Sequence, residues 1–190
     1  MTDFRAVPAP GAKRPDPALL RLADLLAKVL AFVAAAALVL LAVNVLVDVT
    51  GRAAMNKPFT GTLEYTQNWW MPTLTLMAFG FTEWKQEHIK VTILLDTLPG
   101  MMRRMVEGVF GLIATVLLVV LAYHGFNEAM DAAAFGKTTA SSPPVAVWPF
   151  MFMAPVGIAA LAMQTAATSY RYFTGRYPLP ETLQTEGEAI

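Results

Sequence analysis

From Val29 to Val47 the chain is apolar except for Asn44, and as a helix rising about 1.5 Å per residue this run nearly covers a hydrocarbon core about 30 Å thick. It is of span length, too long for the apolar region of a secretory signal, so it predicts a membrane helix kept in the mature protein. Inside lipid the backbone must satisfy its own hydrogen bonds, and a single segment can do so only as a helix. Composition agrees: 56% of residues are hydrophobic and only 15% charged, whereas about a quarter are charged in a typical soluble domain.

Three further runs follow. Leu63 to Trp84 is long enough to cross but polar, carrying Thr66, Gln67, Asn68, Thr73, Thr75 and Thr82, groups that find no water in lipid and favour protein neighbours. Pro72 predicts a bend in it. Val109 to Ala122 is the core of a third run, and Val145 to Ala167 a fourth, interrupted by Pro149 and Pro155 and flanked by Trp148, Tyr170 and Tyr172 as interface anchors. The fold expected is therefore an all-α integral membrane protein with four transmembrane helices, over about 25–49, 63–84, 102–126 and 145–170. These form a membrane domain over 23–174, between a proline-rich disordered tail (1–22) and an acidic C-terminal tail (175–190). Between the second and third runs, Val91, Leu94, Leu95 and Leu98 share one helical face, with His88, Thr92 and Asp96 on another. That pattern predicts an amphipathic helix lying in the headgroup region over about 88–98, ended by Pro99 and Gly100.

Lys and Arg divide unevenly among the connections. Eleven lie in the N-terminal tail, the second connection and the C-terminal tail, against Arg52, Lys57 and Lys137 in the first and third connections. Basic residues accumulate on the cytoplasmic side, which places both termini and the His88 segment there.

Chemistry is harder to find. The formal net charge is zero, so no basic field points to nucleic acid. Without cysteine there is no disulfide, thiolate metal site or cysteine nucleophile. Asp48, Glu64, Glu83 and Glu107 all fall at span ends, where headgroups, water or a neighbouring charge can serve them. His88 and His124 sit at opposite ends of their spans, too far apart for one haem iron. The 11 methionines read as packing residues. Asn44, the deepest strongly polar group of the first run, is placed to hydrogen-bond another helix. There is no glycine-rich phosphate loop and no Ser-His-Asp set. Neither enzyme activity nor a cofactor is expected.

The segment from Arg52 to Val91 resembles the DctQ-type small membrane subunit of the tripartite ATP-independent periplasmic (TRAP) transporters. The matching features are an arginine after the first helix (Arg52), a proline in the loop (Pro58), an acidic residue opening the second helix (Glu64), a glycine within it (Gly80), and the turn His88-Ile89-Lys90-Val91. Leu98-Pro99 followed by Arg103-Arg104 also fits. The chain departs from the family pattern at Ala53, often aromatic there, at Thr62-Leu63, where a tryptophan is frequent, and at Thr92, often Asp.

The resemblance implies an accessory subunit in a bacterial inner membrane that braces a large permease subunit. The large subunit carries the sodium and substrate sites, and a soluble periplasmic binding protein delivers the substrate. Because the chain ends soon after its fourth run, the two membrane subunits are expected to be separate polypeptides. Lipids are expected partners. Arg52, Glu64, Gly80, His88 and Lys90 are expected to act structurally or at interfaces, with Arg52 and Glu64 near enough to pair across the first connection or to meet a partner. Two rival readings are a self-sufficient small multidrug-type proton exchanger, which wants a mid-membrane carboxylate, and a membrane anchor of a redox enzyme, which wants paired histidines at one depth.

Overall fold

A computed structural model describes residues 17–56, 61–85, 98–141 and 144–175, and within them the regular structure is helical apart from one isolated β-bridge. Helix α1 (Ala18–Met55) opens after Pro17 and runs for 38 residues of mostly alanine, leucine and valine, about 57 Å at the usual rise. It starts inside the segment expected to be a disordered tail and continues past Gly51, where a loop was expected. Arg52 reaches back one turn to Asp48, with its Nη2 at 2.7 Å and its Nε at 2.8 Å from Oδ2, and such an i,i+4 pair supports the last turns. Asn56 then ends the helix in the left-handed conformation (φ 53°), its N–H donating to the Arg52 carbonyl at 3.1 Å.

The second helical segment is interrupted. It consists of α2 (Thr62–Tyr65), a wide π-helical turn over Thr66–Trp70, and α3 (Met71–Lys85). Pro72 accounts for the widening, since it has no N–H to donate and its ring crowds the carbonyl four residues earlier, that of Asn68. Helix α4 (Gly100–Ala134) is regular for 35 residues. A turn through Gly136 (φ 59°) leads to a pairing of Thr138 with Ala146, so Val145, expected in the fourth span, lies outside it. Helix α5 (Trp148–Met151) and helix α6 (Met153–Phe173) meet at Phe152, where Pro155 withholds the amide that would bond the Met151 carbonyl. The helix expected over 88–98 falls outside the described residues, Leu98 excepted, as do Met1–Asp16 and the tail beyond Gly175.

The helices form a layer in which α3 and α6 are central. Helix α1 packs on α3 and partly on α6, and α4 packs on α6. Chain direction can be read from close approaches. Gly108, Gly111 and Gly125 face Phe173, Ser169 and Pro155 in reverse order, so α4 and α6 are antiparallel. Gly157 faces Leu76 and Ala160 faces Gly80, so α3 and α6 run parallel.

Small side chains make these contacts possible. The buried face of α1 is Leu20, Ala23, Ala27, Ala34 and Ala37, and α6 buries Gly157, Ala160, Ala162 and Ala167. Small residues let helix backbones approach closely, which is how helices associate where no water drives them together. The large apolar residues point outward, among them Phe32 (76% exposed) and Phe110 (67% exposed), an arrangement suited to lipid.

Among the described residues three helical stretches are long and apolar enough to cross a membrane: Ala18–Ala54, Gly100–Ala134 and Trp148–Phe173. The segment from Thr62 to Lys85 is not among them: α3 alone has 15 residues, and the stretch as a whole is polar.

Candidate functional site

The polar side chains gather in two clusters, one at each end of the helix layer. At the end where α1 finishes, Asn44 Nδ2 donates to the Thr62 carbonyl at 3.4 Å and to Thr66 Oγ1 at 3.3 Å. A lone amide in an apolar run thus joins two helices, as its sequence context predicts. The π turn swings Trp69 toward the segment entering α5, where its Nε1 donates to the Ala146 carbonyl at 2.9 Å and its ring stacks on Phe150 with centroids 3.9 Å apart. Tyr65 closes on Trp69 edge to face at 4.8 Å. Beside this cluster, Lys137 meets Glu128 at 3.8 Å, an exposed pair of little energetic weight.

At the opposite end Asp24 of α1 accepts from Gln164 Nε2 at 3.1 Å and from Arg171 Nη2 at 2.8 Å, both on α6. Gln164 is fully buried. The apolar residues Leu20, Ala23, Ala167 and Met163 pack alongside, and excluding water there strengthens the charge-assisted bonds. On α4, Arg103 is buried with its Nε 3.2 Å from Glu107 Oε1. Lys28 lies over the Trp84 ring, 4.6 Å from its centroid, a cation–π contact joining α1 to α3.

The residues singled out from sequence are placed separately. Arg52 pairs with Asp48 on its own helix rather than with Glu64, because the i,i+4 geometry brings Asp48 into reach without closing a loop. Glu64 is half-buried, and its carbonyl accepts from Asn68 Nδ2 at 2.9 Å. Gly80 is buried against Ala160 of α6. His88 and Lys90 lie outside the described residues. Asp48 and Glu83, expected at the span ends to meet headgroups, water or a neighbouring charge, are buried at 6% and 7% exposure, and Asp48 pairs with Arg52.

Two features were not anticipated. Asp24 and Gln164 were overlooked, though Gln164 gives the same signal as Asn44, a single amide among small apolar residues. The polarity of the second segment also proves partly self-satisfied: Thr73, Thr75 and Thr82 each donate to the carbonyl four residues back, at 2.7, 3.0 and 3.2 Å. Its threonines therefore demand fewer outside partners than the sequence implied.

Among the described residues no group of three or more His, Cys, Asp or Glu is placed to hold a metal ion. Asn44, Asp24 and Gln164 bind helix to helix, other polar groups bond within their own helix, and the large side chains turned outward along the long helices are apolar. It is a multi-pass helical membrane protein.

Residues 41–175 match the family model described as "Tripartite ATP-independent periplasmic transporters, DctQ component", and the chain belongs to that family. Comparison with curated proteins and with solved structures returned no match. Membership makes the chain a small, non-catalytic accessory subunit of a TRAP transporter. Asp24 lies outside the matched stretch, whereas Asn44, Gln164 and Arg171 lie within it.

Proposed function

We propose that this subunit braces the large permease subunit of a sodium-coupled, binding-protein-dependent transporter in a bacterial inner membrane, crossing four times with both termini cytoplasmic. One observation carries the reading: the amides of Asn44 and Gln164 each join one helix of the chain to another. Asn44 joins α1 to the second segment, Thr73 bonds within its helix, and Gln164 joins α6 to α1. A path for an ion or an anionic substrate needs polar groups or broken helix ends free to meet it at the midplane. On this reading the sodium and substrate sites belong to the large subunit, and a periplasmic binding protein delivers the substrate. Arg52, Glu64, His88 and Lys90 are the positions proposed to meet partner subunits or headgroups, while Gly80 serves packing within the chain.

The segment Thr62–Lys85 is taken as the second of the four crossings. It packs against both α1 and α6, and a helix shielded by protein can cross with less hydropathy than one facing lipid. Single cysteines at Asn56 and Lys137 should react with an impermeant thiol reagent in intact cells, and one at Gly175 should not. Labelling at Gly175 would invert the topology.

Reconstitution tests the role itself. In liposomes with a sodium gradient the lone chain should accumulate no solute, whereas uptake by the large subunit with its binding protein should require it. Gradient-driven uptake by the lone chain would overturn the bracing role and favour a small exchanger.

A further inference from the structure

Where α4 begins and α6 ends, a groove of about 440 Å³ opens between them, lined by Met101, Arg104, Met105, Tyr172, Phe173 and Gly175. Its wall is mostly apolar, with one charge. The Nε of Arg104 is buried and has no acceptor among the described residues, whereas Arg103 beside it is held by Glu107. Among the described residues no carboxylate lines the groove. A buried guanidinium N–H without an acceptor is costly, which makes the site complementary to an anion. Gly175 (φ 66°) brings the chain close enough that a Cβ there would lie 3.5 Å from Arg104 Nη1. The first turn of α4 adds no acidic residue and no side-chain cap, leaving the positive end of the helix dipole on the same side.

The surroundings select the kind of anion. From the groove an exposed stripe continues along α4 through Met101, Met105, Val109, Leu112 and Val116, spaced three or four residues apart. Inorganic phosphate gains nothing from such a stripe, whereas acyl chains do.

We propose that this groove binds the phosphodiester of an anionic glycerophospholipid, with Arg104 on the phosphate and the acyl chains along the Met105–Val116 face of α4. The proposal needs α4 and α6 to be membrane helices, and it stands apart from the bracing role and from the topology.

The test is native mass spectrometry of the full chain released from detergent micelles, with phosphatidylglycerol, diacylglycerol or glycerol 3-phosphate as the probe. Phosphatidylglycerol should be retained about tenfold more tightly than diacylglycerol, and glycerol 3-phosphate should not displace it at equal concentration. Arg104→Gln should lower phosphatidylglycerol retention about tenfold, and Arg104→Lys by less. Lys137→Gln, at the other end of α4, should leave retention unchanged. Equal retention of diacylglycerol by the parent chain would refute the proposal, as would full retention by Arg104→Gln. Displacement by glycerol 3-phosphate would assign the groove to a free phosphate ester instead. The comparison of ligands on the parent chain decides the matter even if Arg104→Gln does not fold.

Discussion

Asp24 shows how much one side chain can hold. Its carboxylate bonds Gln164 and Arg171, residues remote in sequence and both buried or nearly so. Removing the shared acceptor of a part-buried cluster takes a bond from Gln164 and from Arg171 at once, which costs more than an exposed bridge is worth. Asp24→Ala should therefore destabilise the purified protein by about 3 kcal/mol, read from thermal unfolding in detergent. The double variant Asp24→Ala with Arg171→Ala should lose less than the sum of the single losses, because the two side chains bond each other and one loss is counted in both single variants. Strict additivity would mean that the two residues do not act together. Lys137→Ala, by contrast, takes a partner only from the exposed Glu128 and should change stability by less than about 1 kcal/mol.

At the scale of helices, close packing decides which substitutions are tolerated. A methyl group at Gly157 would overlap the Leu76 carbonyl of α3, while one at Gly80 would meet Ala160 atoms at an ordinary 3.6 Å. Gly157→Ala should thus cost about 1–3 kcal/mol through overpacking, and Gly80→Ala markedly less. Unfolding midpoints of the two variants in one detergent would reverse this ranking if the crossing lay elsewhere. The π turn is a second property of an element. Pro72→Ala restores an amide that can bond the Asn68 carbonyl, so the turn should tighten and rotate Tyr65–Trp69 away from their partners. A disulfide between cysteines placed at Asn44 and Thr66 should form readily in the parent and slowly in Pro72→Ala. Equal rates would show that Pro72 is not what holds the turn open.

For the molecule as a whole, the lengths of its two outer helices govern how it sits in a bilayer. At the usual rise α1 and α4 extend about 57 and 52 Å, against a hydrocarbon core of about 30 Å, so tilt and projection must absorb the excess. Their apolar faces are exposed while α3 and α6 lie between them, which leaves broad surfaces for lipid and for a partner subunit. Hydrogen exchange in nanodiscs should be fast over the first turns of α1 and the last turns of α4, and slow around Ala34 and Ala37. Uniform protection along all of α1 would mean that the helix is buried throughout its length.

Much of this architecture is legible in the amino-acid order, since lipid solvation acts on each segment separately. A long apolar run must become a helix wherever its neighbours lie, so α1, α4 and α6 follow from hydropathy. Pro72 and Pro155 mark where helices are disturbed because the missing amide is a local property. Asn44 declares itself as an interhelical donor for the same reason.

Contacts made across the layer are different, because each depends on two faces meeting at one crossing. Asp24 is an ordinary residue until α1 and α6 are placed side by side, and Gly157 becomes a close approach to α3 only through the position of the Leu76 carbonyl. Arg52 had two acidic residues to choose between, and the continuation of α1 through Gly51 settled on Asp48. Local hydropathy determines which segments become helices, but pair distances arise from packing that no single segment encodes.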